Sequence, residues 1–154
     1  MVTLVLVRHA KSDWGVAGLS DHERPLNDRG QRDAPLMAAA LAETGFHPDR
    51  LLTSTALRAR TTAEAFAASL DVPLETMPEL YGASVPELWD AAAGAGGRSV
   101  LIVAHDPGLS ELASELAGRP VTMTTCAVAT FPIPGDRWPA LPPVVDEWNI
   151  QTPR

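Results

Sequence analysis

The chain reads as an α/β protein, a three-layer αβα sandwich built on a mostly parallel sheet. Three observations lead there. Residues 2–7 and 100–104 are short, continuous apolar runs, the pattern of strands covered on both faces. Segments with helical spacing lie between them, alternating with further strand-like runs. Gly or Pro closes most of the helical segments.

In chain order, residues 2–7 form the first strand and run straight into Arg8-His9. Residues 29–44 read as a helix with Leu36, Met37, Ala40 and Leu41 at helical spacing, Asn27 as N-cap and Gly45 as the stop. Pro35 inside that segment predicts a start near it or a bend. A strand over 50–53 precedes an alanine-rich helix over 56–70, closed by Pro73. Residues 74–77 suit a third strand, and 85–93 a helix ended by Gly94, Gly96 and Gly97. That glycine cluster precedes a strand rather than opening a phosphate-facing helix, so it is a loop and no dinucleotide or P-loop fingerprint. The 100–104 strand leads to a helix over 109–116, and a strand follows over 124–131. From about residue 132 the tail is proline-rich, an edge hairpin at most, with Trp138 and Trp148 packed back on the sheet.

The 154 residues fit one domain over 1–154. Twelve basic against 19 acidic side chains give a net charge of −7, which argues against nucleic acid or an anionic membrane as partner. One cysteine, Cys126, has no partner for an internal disulfide and reads as a small buried apolar residue. No Cys/His cluster has metal-ligand spacing. The opening apolar run is too short for a secretory h-region, and nothing approaches the about twenty apolar residues of a membrane span. The expected setting is the cytoplasm. Oligomeric state is not legible.

The chemistry sits where the strands end. In an open parallel sheet, side chains just past the strand C-termini converge on one crevice. Arg8 and His9 follow the first strand, His105 follows the 100–104 strand, and Arg58 falls in the first turn of the helix after Ser54-Thr55. Glu79 follows the third strand toward the same edge. Arginine forks bind phosphate oxygens, and a helix N-terminus adds partial positive charge. A neutral imidazole presents a lone pair to phosphorus, a second histidine donates to the equatorial oxygens, and a carboxylic acid protonates the leaving atom. Without such chemistry the same residues would be polar side chains that end strands and form surface ion pairs. An acidic chain that handles phosphate must carry a locally positive rim.

These residues also carry a resemblance. Leu6-Val7-Arg8-His9-Ala10-Lys11-Ser12 resembles the Arg-His signature of the histidine phosphatase (phosphoglycerate-mutase-like) superfamily, although many members have glycine where Ala10 stands. The segment from Ser54 through Arg58 to Ala63 is similar to its second-arginine motif, and Val103-Ala104-His105-Asp106-Pro107-Gly108 to its second-histidine motif. The short length and the run Arg24-Pro25-Leu26-Asn27 with Arg29-Gly30 resemble the small phosphohistidine phosphatase branch. The resemblance implies a phosphorylated His9, a phosphoryl group held by Arg8, Arg58 and His105, and no metal or cofactor. It implies the phosphoglycerate-mutase-like fold and a phosphorylated protein or small phosphorylated molecule as substrate. Larger members insert specificity segments between the second arginine and the second histidine; the short stretch here implies an open, shallow site.

Lys11 and Ser12 are further candidate phosphate contacts, and Asp13, Asp21 or Glu23 could replace Glu79 as acid. Arg60 lies about 200° around the helix from Arg58 and is structural or exposed. His22 and His47 read as surface residues, and Trp14 as either the mouth of the site or core. A phosphotransferase or mutase, or a catalytically silent phosphate-binding module, are the competing functions.

Overall fold

A computed structural model describes residues 1–154. The first strand, β1 (Val2–Arg8), sends Val2, Leu4 and Leu6 into one core and Val5 and Val7 into the other. That two-sided burial is why its sequence is continuously apolar rather than alternating. Helix α1 (Asp28–Glu43) begins where the Asn27 side chain accepts from the Gly30 amide, and Gly45 follows its end at φ +85°. The helix runs through Pro35, which stands on its exposed face. Its buried stripe is Gly30, Asp33, Ala34, Met37, Ala38 and Leu41. The predicted stripe needs one correction: Leu36 falls off this 3–4 spacing and is 67% exposed.

Next come β2 (Arg50–Thr53), α2 (Leu57–Leu70), β3 (Leu74–Thr76) and α3 (Val85–Ala93). A capping box opens α3: the Ser84 side chain accepts from the Glu87 amide while Glu87 accepts from the Ser84 amide. Then follow β4 (Ser99–Ala104), α4 (Gly108–Ala117), β5 (Val128–Ile133) and β6 (Asn149–Gln151). All six strands share one sheet in the order β3-β2-β4-β1-β5-β6. β1, β2, β3 and β4 pair in parallel, and β5 and β6 add antiparallel at one edge. Helices α1 and α2 cover one face and α3 and α4 the other, giving three layers with two cores.

The strand expected over 124–131 starts later. The backbone turns at Cys126, φ +61°, whose amide bonds the Arg8 and His9 carbonyls, so pairing begins only at Val128. The tail does return to the sheet edge as β6. Trp148 stacks on Phe131 at 5.5 Å, and Trp138 packs edge-on against Trp89 of α3 at 5.6 Å, both against the core on that face of the sheet. No helix is long and apolar enough to cross a membrane.

Gly30 explains why a glycine sits in the first turn of α1. A Cβ there would stand 2.1 Å from the Lys11 carbonyl oxygen, in the loop after β1. Gly30→Ala is therefore expected to cost about 1–3 kcal/mol through forced displacement of that loop. Thermal unfolding checks this: Tm should fall by several degrees, and an unchanged Tm would contradict the close packing.

Candidate active site

The β1–β4 register sets Arg8 opposite Ala104, and the His9 amide extends the ladder by bonding the Ala104 carbonyl at 3.2 Å. His9 and His105 therefore leave adjacent parallel strands at the same level. Their ring centroids are 5.3 Å apart. At the end of β2, Ser54 bonds the Val103 carbonyl through its amide, and its hydroxyl meets His105 Nε2 at 2.7 Å. That hydroxyl also accepts from the Ala56 amide as α2 begins. Arg58, in the first turn of α2, is 5% exposed.

Arg8, His9, Arg58 and His105 line a cavity of about 260 Å³ together with Lys11, Ser12, Trp14, Asp21, Arg24, Asp106 and Thr125. Four cations (Arg8, Lys11, Arg24 and Arg58) face two carboxylates, Asp21 and Asp106, so the rim is locally positive on an acidic chain. Of the predicted phosphate contacts, Lys11 is half-buried and Ser12 is buried, its hydroxyl accepting from Arg24 Nη1.

The state of His9 follows from its neighbours. Its Nδ1 lies 2.8 Å from the Ala10 carbonyl oxygen. A carbonyl only accepts, so Nδ1 carries the proton and the Nε2 lone pair is free. Burial, with the charges of Arg58 and Arg8 behind it, holds the ring neutral and lowers its pKa to about 3. The Ala10 amide is itself anchored on the Thr62 hydroxyl of α2 at 3.0 Å. Burial also lowers the His105 pKa to about 4, with the Arg58 charge second. Buried Arg8 Nε, Arg58 Nε and His105 Nδ1 have no partner within the protein. All three belong to residues that line the same cavity as His9, a donor set that suits a compact oxyanion.

Asp21 organises the other wall. Its backbone carbonyl accepts from Arg58 Nη1 at 2.6 Å and its carboxylate from Arg58 Nη2 at 3.0 Å. The same carboxylate accepts from Arg24 Nε and from the Tyr81 hydroxyl. The Tyr81 hydrogen bond leads these in holding the Asp21 carboxyl well below the usual range. On the opposite side, Arg8 Nη1 donates to the Met123 carbonyl at 2.9 Å and lies 3.7 Å from Asp106. Asp106 in turn accepts from the Ser110 amide and hydroxyl.

Glu79 needs correction as a member of this group. The 3-10 turn Pro78–Leu80 buries Leu80 and leaves Glu79 exposed and outside the cavity lining. Asp13 caps the Gly15 amide and Glu23 pairs with half-buried His22; neither lines the cavity. His22 also meets the Thr55 hydroxyl at 2.8 Å, and His47 is exposed. Arg60 bonds the Thr55 carbonyl, a structural contact. Trp14 is at the mouth, not in the core. Sequence reading missed Arg24, Asp106 and Thr125 as lining residues, and Asp21 as the partner of Arg58. Its one available signal was the charged turn from Asp21 to Arg24 ahead of Pro25.

The sequence profile of the Histidine phosphatase superfamily (branch 1) matches residues 4–87. The chain belongs to this superfamily. It is 32% identical over 133 residues to the phosphohistidine phosphatase SixA of Escherichia coli strain K12, covering 81% of each chain. Its structure resembles that of a putative phosphohistidine phosphatase SixA from Agrobacterium tumefaciens at TM-score 0.81 and 25% identity, over 96% of this chain and 97% of the other. It also resembles a protein histidine phosphatase SixA complexed with tungstate, at TM-score 0.74 and 31% identity over 85% and 88% of the two chains. The superfamily's phosphoglycerate-mutase-like fold is thus the αβα sandwich described above.

Both site histidines bind fewer protons folded than unfolded between about pH 4 and 6.5, so stability rises with pH across that window and falls on acidification. Nitrogen-15 NMR of the imidazoles checks the cause. At pH 5, His9 and His105 should both be neutral, with His9 in the Nδ1–H form. Titration of either near pH 6.5 would contradict the buried geometry.

Proposed function

We propose that this superfamily member is a phosphatase that works through a phosphohistidine on His9. The observation that carries the reading is the His9–Ala10 hydrogen bond, which leaves the Nε2 lone pair of a neutral ring in a cavity that Arg8, Arg58 and His105 also line. In the first step His9 Nε2 attacks phosphorus in line; a P–N bond forms, and the leaving atom departs with its bonding pair. In the second, water attacks phosphorus, the P–N bond breaks, and inorganic phosphate is released with His9 neutral again. Arg8, Arg58 and His105 hold the equatorial oxygens, and Lys11 and Ser12 lie close enough to the cavity to assist. Rate enhancement then comes chiefly from positioning and fixed positive charge. The tungstate bound by the related SixA, an oxyanion of similar shape, supports this use of the cavity.

The substrate follows from size and proton supply. About 260 Å³ lies just below the roughly 300–1,000 Å³ of pockets that enclose a whole small ligand, so a protein-sized bearer stays outside while its phosphoryl group enters. Glu79 stands outside the cavity and Asp21 is held ionised by Tyr81, Arg58 and Arg24, so neither supplies a proton to a poor leaving group. That favours phosphohistidine borne on a protein, with activated small phosphomonoesters as secondary substrates. A cytoplasmic setting belongs to the same proposal.

The test uses p-nitrophenyl phosphate and acetyl phosphate with EDTA present. Wild-type protein should turn both over and yield an acid-labile, base-stable phosphoprotein, and His9→Ala should lose both properties. Arg58→Ala should lower kcat/KM by about 100–1,000-fold, by analogy with removal of one preorganised oxyanion donor. Binding of phosphate without turnover would point instead to a silent module. For Glu79, the Glu79→Gln variant should retain its ratio of alkyl to aryl phosphate hydrolysis; a selective loss on alkyl esters would restore it as the acid.

A further inference from the structure

Among the eleven residues lining the cavity, Trp14 alone is hydrophobic. It is also 73% exposed. One face of its indole is covered by the Arg24 guanidinium, whose central carbon lies 3.5 Å from the ring centroid. Arg24 is not a loose surface cation. It is buried, with Nε and Nη2 on Asp21 at 3.1 Å and Nη1 on the Ser12 hydroxyl. The indole therefore rests on a cation that two other cavity residues hold in place, and its exposure belongs to the opposite face and the edges.

A single exposed aromatic residue is ordinary. Its position here is not, because a small cavity lined otherwise by polar and charged groups draws in the phosphoryl end and leaves a bulky leaving group toward the mouth, where Trp14 stands. We propose that Trp14 is a specificity-determining platform for flat leaving groups, aromatic or heteroaromatic rings bonded to phosphorus through oxygen or nitrogen. The ring stacks against the open side of the indole while its phosphoryl group enters the cavity. A saturated leaving group offers no such plane and gains little there. This deepens the phosphatase reading above and rests on it for the placement of the phosphoryl group.

Phenylphosphonate and methylphosphonate, which share the head group and are not hydrolysed, test the platform by calorimetric titration. Wild-type protein should bind the phenyl compound roughly tenfold more tightly than the methyl one. Trp14→Ala should collapse that preference to within about twofold, and Trp14→Phe should keep most of it. Equal affinities in the wild type, or a preference that survives Trp14→Ala, overturns the platform. The two readings fail separately: an intact aryl preference without phosphatase turnover sinks only the catalytic reading. Turnover without an aryl preference sinks only the platform, and failure to bind either phosphonate sinks both.

Discussion

The parallel pairing of β1 with β4 is the constraint on which the site depends. Six consecutive residues of each strand are in register, ending with Arg8 opposite Ala104, so the chain delivers an arginine and two histidines at one level of one sheet edge. A slip of one residue would exchange the side chains that feed the two cores, sending Leu4 and Leu6 where Val5 and Val7 now pack. The cores therefore fix the register, and the register places the rings. Closer to the chemistry, the Cys126 amide bonds the Arg8 and His9 carbonyls, and the Thr62 hydroxyl takes the Ala10 amide. The backbone around His9 is thus held at successive residues by two other segments of the chain before its own ring makes a single contact.

Electrostatics is arranged over the same frame. Burying two imidazoles beside guanidinium groups favours their neutral forms, since a protonated ring would lose hydration and meet like charge. The arginines are held in place by partners within the protein, two of them carboxylates of the cavity wall. Arg58 is tied twice to Asp21, and Arg8 to Met123 and Asp106. Their terminal nitrogens are thereby fixed in advance, and preorganised charge of this kind needs no rearrangement as a reaction proceeds. A net charge of −7 over the whole chain coexists with a cavity where cations outnumber carboxylates, because short-range placement rather than total charge sets the local field.

What the sequence made legible was whatever depends on local pattern. The two buried strands announce themselves as unbroken apolar runs, and the groups that follow them, Arg8, His9 and His105, are read off directly. Arg58 was legible because it falls in the first turn of a helix bounded by clear signals. Contacts made across loops left no periodic trace: Asp21 reaching Arg58 and Arg24 reaching Ser12 bring together residues from segments with no repeat. Glu79 was misplaced because a strand end gives a direction, while the turn after β3 decides which side chain faces inward, and Leu80 took that place. The late start of β5 has the same origin, a left-handed turn at Cys126 that no propensity marks.

Four side chains from three strand ends, with His9 Nε2 in line, should surround one phosphorus-sized centre. A crystal structure of the protein with orthovanadate tests it most directly. A five-coordinate vanadate bonded to His9 Nε2 is expected, its equatorial oxygens taking hydrogen bonds from Arg8, Arg58 and His105. Vanadate bonded to His105 instead, or bound away from both rings, would contradict it.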